Sequence, residues 1–250
     1  MKILITGANG FIGKNLIDAL SKSSIDAQFY KFDIDNSKEE LEMWTKDCDF
    51  VYNFAAVHRP KEITEFDKVN HLFFDDLLDM LKKNNNKCPV LYTSSIQAGN
   101  GTEYGKSKIA AEQDLFQYGK ETGARSIVYR LTNTFGRWAT PNHHSVVATF
   151  CYNLNNDLDI FISNPDIVMN FCYVDDVVDS FINQLTNSVI PDSDGIFRIS
   201  NDKIYTITLG DLATLLESFK NNKDVRPKNL FEERMYYTYS SYSKKTEGTE

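Results

Sequence analysis

The sequence has few of the residues that build metal sites and disulfide frameworks. Its four cysteines and four histidines show no CxxC and no HxxxH spacing, so we expect reduced thiols and no bound metal. No apolar run reaches the roughly 18 residues of a membrane helix, and the amino terminus does not have the pattern of a signal peptide. Basic residues are also in deficit, since the net charge is -8. We therefore expect a cytoplasmic protein that binds neither nucleic acid nor a membrane.

The chain does contain alternating strand and helix patterns. Its 250 residues, of which 42% are hydrophobic and 25% charged, suffice for one large core and a smaller lobe. Short apolar runs alternate with amphipathic segments, which is typical of right-handed βαβ units. The predicted strands cover 2–6, 27–34, 49–57, 89–95 and 126–133, and the predicted helices 14–22, 37–44, 66–84 and 107–123. Ser37 is expected to cap the second of these helices, with Glu40 three residues on. We predict an α/β fold with a doubly wound parallel sheet of the Rossmann type.

The second half of the chain has a different pattern of segment lengths. After Phe135 the loops lengthen, a helix is expected near 145–155, and Thr208 is expected to cap a later helix. Asp175 and Asp176 are expected in the first turn of a helix, where the helix dipole stabilises them. We predict a dinucleotide-binding domain over 1–135, completed by part of 170–200, an interleaved substrate-binding lobe over 136–240, and a flexible tail at 241–250.

A glycine-rich segment, ITGANGFIG, follows the first predicted strand and begins the first helix. Gly7 allows a tight turn, Gly10 lets a pyrophosphate approach the backbone, and Gly13 lets the helix pack against the strand. The start of the helix adds unpaired N–H groups and the positive end of the dipole, which together bind phosphate. The segment predicts a dinucleotide site, whose expected contacts here are Gly7, Asn9, Gly10, Phe11, Ile12 and Gly13.

Asp33 stands 20 positions after Gly13, at the end of the second predicted strand. An acidic residue at this place accepts hydrogen bonds from the adenosine ribose and favours NAD over NADP. In related folds an aspartate of this segment contacts the edge of the adenine instead, and a solvated aspartate at a strand end is a third reading. We expect Asp33 to contact the adenosine half of the cofactor, and the sequence leaves both NADH and NADPH open.

The segment TSSIQAGNGTEYGKSK, residues 93–108, carries the candidate chemistry. Tyr104 and Lys108 are four residues apart and therefore share one face of a helix. A phenol is a poor acid or base at neutral pH unless a cation favours its ionised form, and Lys108 supplies that cation. Ser95 ends a strand at the edge where open α/β sheets bind ligands, and it can hold a carbonyl. These residues predict a proton relay, with a chance Tyr and Lys pair on an ordinary helix as the alternative.

Motifs along nearly the whole chain are similar to those of a known family. TGANGFIG, NFAA, SSIQA, YGKSK, RLTNTFG and FCYVDDVV occur in the order typical of extended short-chain dehydrogenases/reductases that act on nucleotide sugars. HRP, FGRW, PNHHSVVATFCY and NLFE resemble more closely the N-terminal reductase half of capsular polysaccharide enzymes of the CapF type. The resemblance implies NAD(P)H-dependent reduction of a UDP-linked 4-keto-6-deoxy-N-acetylhexosamine, on the way to an N-acetylfucosamine-type sugar.

The resemblance also implies roles for individual residues. Tyr104 would be the general acid, Lys108 its activator and a ligand of the nicotinamide ribose, and Ser95 the donor that orients the carbonyl. Asn70 would support the proton relay through water, although an ordinary surface asparagine is an equal alternative. The segment after the strand predicted at 49–57 would line the cofactor with Phe54, Ala55 and Ala56. Relatives of this type use NADPH and carry basic residues near the end of the second strand, where this chain has FDIDNS.

Three further residues are candidates for substrate contacts. Gln97 occupies the position where sugar-nucleotide dehydratases of this superfamily carry a carboxylate base, and an amide cannot act as that base. Arg59 and Asn133 are expected to face the sugar or the diphosphate, because an acidic protein must supply its cationic contact locally. A solvated arginine and a turn-forming asparagine are the alternatives. His143 and His144 receive no role.

Two other functions compete with reduction. One is an NAD-dependent nucleotide-sugar epimerase, in which the cofactor is not consumed, and the other is a non-catalytic module that senses NAD(P). The intact set of Ser95, Tyr104 and Lys108 weighs against the second. By analogy with the family, the helices at 66–84 and 104–120 are expected to pair in a homodimer. The CapF-type relatives continue into a metal-binding cupin domain, and we expect no cupin domain on this chain.

Overall fold

A computed structural model describes residues 1–57, 61–143, 145–186, 189–222 and 226–243. The chain divides into two compact units, one formed by Met1–Leu131 and Val178–Arg198, the other by Thr132–Val177 and Ile199–Glu250. The boundaries that we predicted for a cofactor domain and a substrate lobe remain predictions about function. The tail predicted at 241–250 falls outside the described residues from 244 onward.

The first unit is a parallel sheet of five strands flanked by helices, which confirms the predicted fold class. Its strands are β1 (Lys2–Thr6), β2 (Gln28–Phe32), β3 (Phe50–Asn53), β4 (Val90–Ser95) and β5 (Ser126–Leu131). Its helices are α1 (Phe11–Lys22), α2 (Lys38–Trp44), α3 (Glu65–Asp67), α4 (Phe73–Lys83) and α5 (Glu103–Thr122). The strand order is β2-β1-β3-β4-β5, and every pairing is parallel. The order reverses between β1 and β3, and such sheets bind ligands at that point.

Burial explains why the short apolar runs become strands. All residues of β3 and β4 are buried, as expected for strands that have helices on both faces of the sheet. Leu4, Val51 and Val90 from the sheet pack with Phe74 and Leu115 from the helices in one apolar cluster. This core fixes the carboxyl ends of the strands, and with them the loops that carry the candidate residues.

Local capping signals in the sequence are confirmed. The side chain of Ser37 accepts a hydrogen bond from the Glu40 N–H, and the Glu40 carboxylate accepts one from the Ser37 N–H, which forms a capping box at the start of α2. Thr208 caps helix α8 (Leu209–Asn221) by accepting from the Asp211 N–H. Both signals depend only on neighbours along the chain, so the sequence is sufficient to reveal them.

Two predicted strands differ from the structure. The strand predicted at 49–57 ends at Asn53, because the N–H groups of Ala55 and Val57 donate to the side chains of Thr6 and Asn70 rather than to a neighbouring strand. The strand predicted at 126–133 is divided into β5 and β6 (Asn133–Phe135), which belong to different sheets. The division falls where the chain passes from the first unit to the second.

The long helix predicted at 66–84 is interrupted. Between α3 and α4 the backbone forms a π-helical turn over Lys68–Leu72. Such turns hold one extra residue and occur frequently at functional sites. Asn70 lies in this turn and is fully buried, so the reading of Asn70 as a surface residue is wrong.

The second unit has its own sheet and core. Strands β6, β7 (Val168–Tyr173) and β8 (Ile204–Thr208) form a three-stranded sheet, in which β6 and β7 are parallel and β7 and β8 antiparallel. Its remaining helices are α6 (Val146–Asn155), α7 (Val174–Thr186), which continues into the first unit, α8 and α9 (Leu230–Ser240). Phe135, Phe150 and Leu216 are among the core residues.

The helix dipole is not the whole reason for the paired carboxylates at the start of α7. Asp176 is buried and accepts two hydrogen bonds from Arg234 of α9, at 2.5 and 2.9 Å. Lys203 lies 3.4 Å from the same carboxylate. Asp176 therefore joins two helices of the second unit through an ion pair. Among the described residues, no helix is both long enough and apolar enough to span a bilayer.

Candidate active site

The glycine segment forms a tight loop between β1 and α1. Gly7 has a φ of +64°, and a Cβ atom there would lie 2.8 Å from the Ala55 nitrogen. A Cβ atom on Gly13 would collide with the Gly7 carbonyl and lie 2.8 Å from the Ala8 carbonyl oxygen. Gly10 is the N-cap of α1 and supplies no side-chain cap. The start of the helix therefore presents backbone N–H groups in a cradle that a larger residue would fill, and this arrangement fits a diphosphate.

Asp33 follows β2 and is tied to the glycine loop. One oxygen of its carboxylate accepts the Asn9 N–H at 2.7 Å, and the other accepts the Ile34 N–H at 2.9 Å. A carboxylate has about four acceptor positions, so the two ribose hydroxyls of an adenosine can still be accommodated. The contact with Asn9 gives Asp33 a structural role in the loop, and its contact with the cofactor stays a prediction.

The segment after β3 lies against the same loop. The Thr6 hydroxyl accepts the Ala55 N–H at 3.3 Å and donates to the Asn53 side chain. The Phe54 N–H donates to the Thr6 carbonyl at 3.1 Å. Phe54, Ala55 and Ala56 are each partly exposed, so they can still line a cofactor. The structure thus brings this segment, the glycine loop and Asp33 to the carboxyl ends of β1, β2 and β3.

Ser95, Tyr104 and Lys108 converge at the end of β4. Ser95 is the last residue of β4, and the Gln97 N–H donates to its hydroxyl at 3.1 Å, which orients that side chain. The Ser95 and Tyr104 side chains are hydrogen bonded to each other. The Lys108 ammonium lies 5.7 Å from the centre of the Tyr104 ring and donates to the Thr93 carbonyl at 3.0 Å. The three predicted side chains therefore form one cluster.

Burial dominates the electrostatics of this cluster. It raises the pKa of Tyr104 to about 12, and the hydrogen bond with Ser95 opposes that rise. Burial lowers the pKa of Lys108 to about 7, and the charge of Glu112 opposes that fall. The predicted acidifying effect of Lys108 on Tyr104 stays a prediction, because the hydrogen bond with Ser95 is what lowers the Tyr104 pKa in this structure. The phenol is held in the protonated form, which can donate a proton.

Asn70 connects the π-helical turn to the loop after β3. Its side chain accepts the Val57 N–H at 2.7 Å and donates to the Val57 carbonyl at 3.1 Å. The same amide nitrogen donates to the Ser107 hydroxyl at 3.4 Å. Ser107 lies on α5, between Tyr104 and Lys108 in the sequence. The side chain is thus committed to holding the loop. The role of Asn70 in a water-mediated relay stays a prediction.

The start of α5 packs closely on the loop that contains Gln97. Thr102 caps the helix by accepting the Gly105 N–H at 3.0 Å. A Cβ atom on Gly105 would collide with the Asn100 side chain and lie 2.5 Å from the Gln97 carbonyl oxygen. Sequence reasoning did not single out Gly105 or Glu112. The signal for Gly105 was a glycine beside Tyr104 within a helix, where glycine is generally disfavoured. The signal for Glu112 was a carboxylate one helical turn beyond Lys108.

Two of the predicted substrate contacts, Arg59 and Asn133, stay predictions. Arg59 lies outside the described residues. Asn133 belongs to the second unit, where its amide nitrogen donates to the Asn170 carbonyl at 3.0 Å and its side chain is exposed. His144, which received no role, also lies outside the described residues.

Several known proteins are similar to this chain in sequence and fold. Residues 3–199 match the NAD dependent epimerase/dehydratase family. A UDP-2-acetamido-2,6-beta-L-arabino-hexul-4-ose reductase of Pseudomonas aeruginosa is 35% identical over 250 residues, which cover 97% of this chain and 65% of that protein. A dTDP-4-dehydro-6-deoxyglucose reductase of Escherichia coli is 26% identical over 268 residues, which cover 88% of this chain and 82% of that one.

A solved structure agrees with these sequence matches. The crystal structure of the capsular polysaccharide assembling protein CapF from Staphylococcus aureus superimposes with a TM-score of 0.88 at 36% identity. The match covers 100% of this chain and 68% of that one. This chain thus spans just under two thirds of the Pseudomonas relative and about two thirds of the Staphylococcus one.

Proposed function

The chain belongs to the NAD dependent epimerase/dehydratase family, as its motifs predicted, and we propose that it is an NAD(P)H-dependent nucleotide-sugar 4-ketoreductase. Its substrate class is a UDP-linked 4-keto-6-deoxy-N-acetylhexosamine for the synthesis of a capsular or surface polysaccharide. The names of the Pseudomonas and Staphylococcus relatives support this choice, since one is a reductase of such a 4-keto sugar and the other a capsule-assembling protein.

One observation carries the proposal. Ser95, Tyr104 and Lys108 meet at the carboxyl end of β4, on the same unit as the glycine cradle. Open parallel sheets bind their ligands at this edge. A structural role alone would not require a buried lysine beside a partly buried phenol, because withdrawing both polar groups from water costs stability.

The residues of the cluster suit the reduction of a ketone. A bound reduced nicotinamide dinucleotide would supply hydride to the keto carbon. Gly7, Gly10 and Gly13 would hold its diphosphate, and Asp33 would hold its adenosine. The Ser95 hydroxyl would hold the keto oxygen. Tyr104 would donate its proton to that oxygen as it gains charge, and the raised pKa of Tyr104 keeps the proton in place for that purpose. Asn70 would keep the neighbouring loop in position.

Gln97 weighs against dehydration. A dehydratase must remove a proton from the carbon next to the ketone, and the side-chain amide of Gln97 has no basic lone pair for that task at neutral pH. Reduction needs only a hydride, a proton donor and a held carbonyl. We assign Gln97, Asn133 and Arg59 to contacts with the sugar or diphosphate.

The proposal includes a homodimer in the cytoplasm, where nucleotide sugars are made. Helices α4 and α5 contact each other in the first unit. Leu72 beside α4 and Phe116 on α5 leave 46% and 38% of their surface exposed, respectively. Light scattering on the purified chain will measure the mass directly, and a monomer at micromolar concentration would remove the dimer from the proposal.

Cofactor consumption tests the function. Purified protein is mixed with NADH or NADPH and a panel of UDP- and dTDP-linked 4-keto sugars, and the absorbance of the reduced nicotinamide is followed. We expect stoichiometric oxidation with a UDP-linked N-acetylated keto sugar. Interconversion of sugars without net oxidation would identify an epimerase instead. Tight cofactor binding without turnover on any sugar would identify a sensing module.

A further inference from the structure

Glu112 is a buried carboxylate that the proposed reaction does not use. It lies on α5 four residues after Lys108 and eight after Tyr104, so the three side chains share one face of the helix. Only 3% of Glu112 is exposed. Buried carboxylates are costly unless they are paired and hydrogen bonded, so its partners explain how it is tolerated.

Both oxygens of Glu112 are bound by residues of the sheet. The guanidinium of Arg130 donates from Nε at 2.9 Å and from Nη2 at 2.6 Å, which makes a bidentate pair. The Ser94 hydroxyl donates to the same carboxylate. Ser94 and Arg130 are direct neighbours in the register of β4 and β5. The carboxylate therefore clamps α5 onto two adjacent strands.

The clamp lies directly beside the residues of the candidate site. Ser94 precedes Ser95 in β4, so fixing one fixes the backbone of the other. The Arg130 N–H donates to the Phe197 carbonyl at 3.1 Å, which anchors the strand end on its other side. A buried ion pair contributes little net stability compared with apolar residues of the same volume. Its position beside Lys108 therefore points to a purpose other than stability.

Among the described residues, Glu112 is the charged group that acts on the Lys108 ammonium. From β4 the ammonium faces the Thr93 carbonyl and the ring of Tyr92, whose centre is 4.8 Å away, and from its own helix it faces Tyr104. Glu112 is the charged group that favours its protonated form. Arg130 is ion-paired with Glu112 at 2.6 Å and partly offsets that charge. Lys108 therefore interacts with a carboxylate whose charge is reduced by its partner.

We propose that Glu112 is a positioning residue, which keeps Lys108 in the ammonium form and, through Arg130 and Ser94, holds α5 against the ends of β4 and β5. This inference deepens the proposed reductase and rests on it for its catalytic meaning. Its electrostatic part concerns Lys108 alone and can be measured without any substrate.

The test is a titration of Lys108 in the full chain. Protein labelled with 13C at lysine Cε is followed by NMR against pH, and the Lys108 signal is assigned by its absence in Lys108→Met. In Glu112→Gln, which keeps the shape but removes the charge, we expect the midpoint to fall by about one pH unit. Glu121→Gln makes the same change at a position on α5 whose side chain is 45% exposed, and it should leave the midpoint unchanged.

A second variant removes the cationic partner of Glu112. In Arg130→Gln the carboxylate either stays charged, and the Lys108 midpoint rises, or takes up a proton, and the midpoint falls. This variant also decides the question if Glu112→Gln does not fold, since a quarter of the Arg130 side chain is exposed. Glu112→Asp keeps the charge and should leave the midpoint near that of the parent, which general damage to the fold would not do. An unmoved midpoint in Glu112→Gln, or in Arg130→Gln, overturns the inference.

Kinetics connect the titration to the reaction. If Lys108 must be charged, Glu112→Gln should match the parent at low pH and be about 10-fold slower above the Lys108 midpoint, since one pH unit is a tenfold change in the charged fraction. Glu112→Asp, which restores the charge, should recover most of that loss. Shifted midpoints in a protein that reduces no keto sugar would refute the proposed function alone. Turnover with an unmoved midpoint would refute this inference alone.

Discussion

At the residue scale, the candidate site is a group of polar side chains held in an apolar environment. Tyr104 is hydrogen bonded to Ser95, and Lys108 is 2% exposed with its ammonium on the Thr93 carbonyl. Burial favours the neutral form of both groups, so the phenol keeps its proton and the ammonium tends to lose one. A proton donor, Tyr104, therefore lies beside a lysine whose charge depends on the groups around it.

The phenol of Tyr104 is the first target for mutation. Tyr104→Phe should bind NAD(P)H as the parent does but reduce the keto sugar at least about 100-fold more slowly, because the general acid is lost. Single-turnover rates and cofactor titrations will measure the two effects separately. Tyr118→Phe is the matched control, since Tyr118 lies on the same helix and its hydroxyl donates to the Asn86 carbonyl. Near-parental turnover in Tyr104→Phe would remove Tyr104 from the relay.

The burial of Lys108 should be visible in stability. Its pKa is about 7 in the folded chain and about 10.4 in an unfolded one, so folding is penalised whenever the unfolded lysine is charged. The penalty is complete below pH 7, declines as the pH rises, and vanishes above about 10.4. A shift of this size corresponds to about 4 kcal/mol at pH 7, and loss of the hydrogen bond to the Thr93 carbonyl offsets about half of it. Lys108→Met should therefore raise the free energy of unfolding at pH 7 by about 2 kcal/mol, roughly 5 °C in Tm.

The gain from Lys108→Met should also shrink as the pH rises from 7 toward 10. Denaturant unfolding at several pH values will measure this trend. Lys106→Met is the control on the same helix, because the Lys106 side chain is 62% exposed and should change stability little at any pH. A loss of stability in Lys108→Met at pH 7 would contradict the burial penalty.

At the scale of elements, loops are fixed by side chains that reach across the chain. Asp33 holds the Asn9 N–H, Thr6 holds the Ala55 N–H, and Asn70 holds the Val57 backbone. Each contact captures a backbone group that would otherwise need a strand partner or water. These contacts end β3 early and shape the edge of the sheet where a cofactor would lie.

The contact between the glycine loop and α1 leaves no room for a side chain at Gly13. Gly13→Ala would place a methyl group against the Gly7 and Ala8 carbonyls, and relief of that overlap should cost about 1–3 kcal/mol. The shifted loop should also weaken cofactor binding at least about 10-fold. Fluorescence titration with NADH and NADPH will measure the affinity. Lys14→Ala, at the adjacent exposed position, should bind as the parent does, and unchanged binding in Gly13→Ala would argue against a diphosphate at this loop.

At the scale of the whole molecule, the first unit is built from two separate segments of the chain. Residues 178–198 return to the sheet formed by residues 1–131. Phe197 exchanges backbone hydrogen bonds with Val128 and Arg130 of β5, at 2.8 and 3.1 Å. Phe181 packs on Phe54, with ring centres 5.6 Å apart. The first 131 residues therefore lack part of their own core.

A truncation tests this dependence. A chain of residues 1–131 alone should fail to fold, because β5 and Phe54 lose the partners supplied by residues 178–198. The same chain joined to 178–198 by a flexible Gly-Ser linker should regain a cooperative thermal transition, measured by circular dichroism. Cooperative unfolding of residues 1–131 by themselves would show that the returning segment is dispensable.

Much of the architecture followed from the sequence. Helix caps at Ser37 and Thr208, the glycine turn and the alternating strands and helices all depend on neighbours along the chain or on burial patterns with a fixed period. The parallel sheet and the family are confirmed. Tyr104 and Lys108 could be paired from the sequence because four residues make one helical turn.

Other features were decided only by the tertiary structure. No pattern in the sequence pairs Glu112 with Arg130, Asp176 with Arg234, or Asn70 with the Val57 backbone, since each contact joins residues that are distant in the chain. The pKa values of Tyr104 and Lys108 were also decided by the tertiary structure, because they depend on burial and on the groups around each side chain. The sequence determines which groups are present and how they follow one another along a helix or strand. Folding decides which of them are withdrawn from water together, and that desolvation sets their charge and their chemistry.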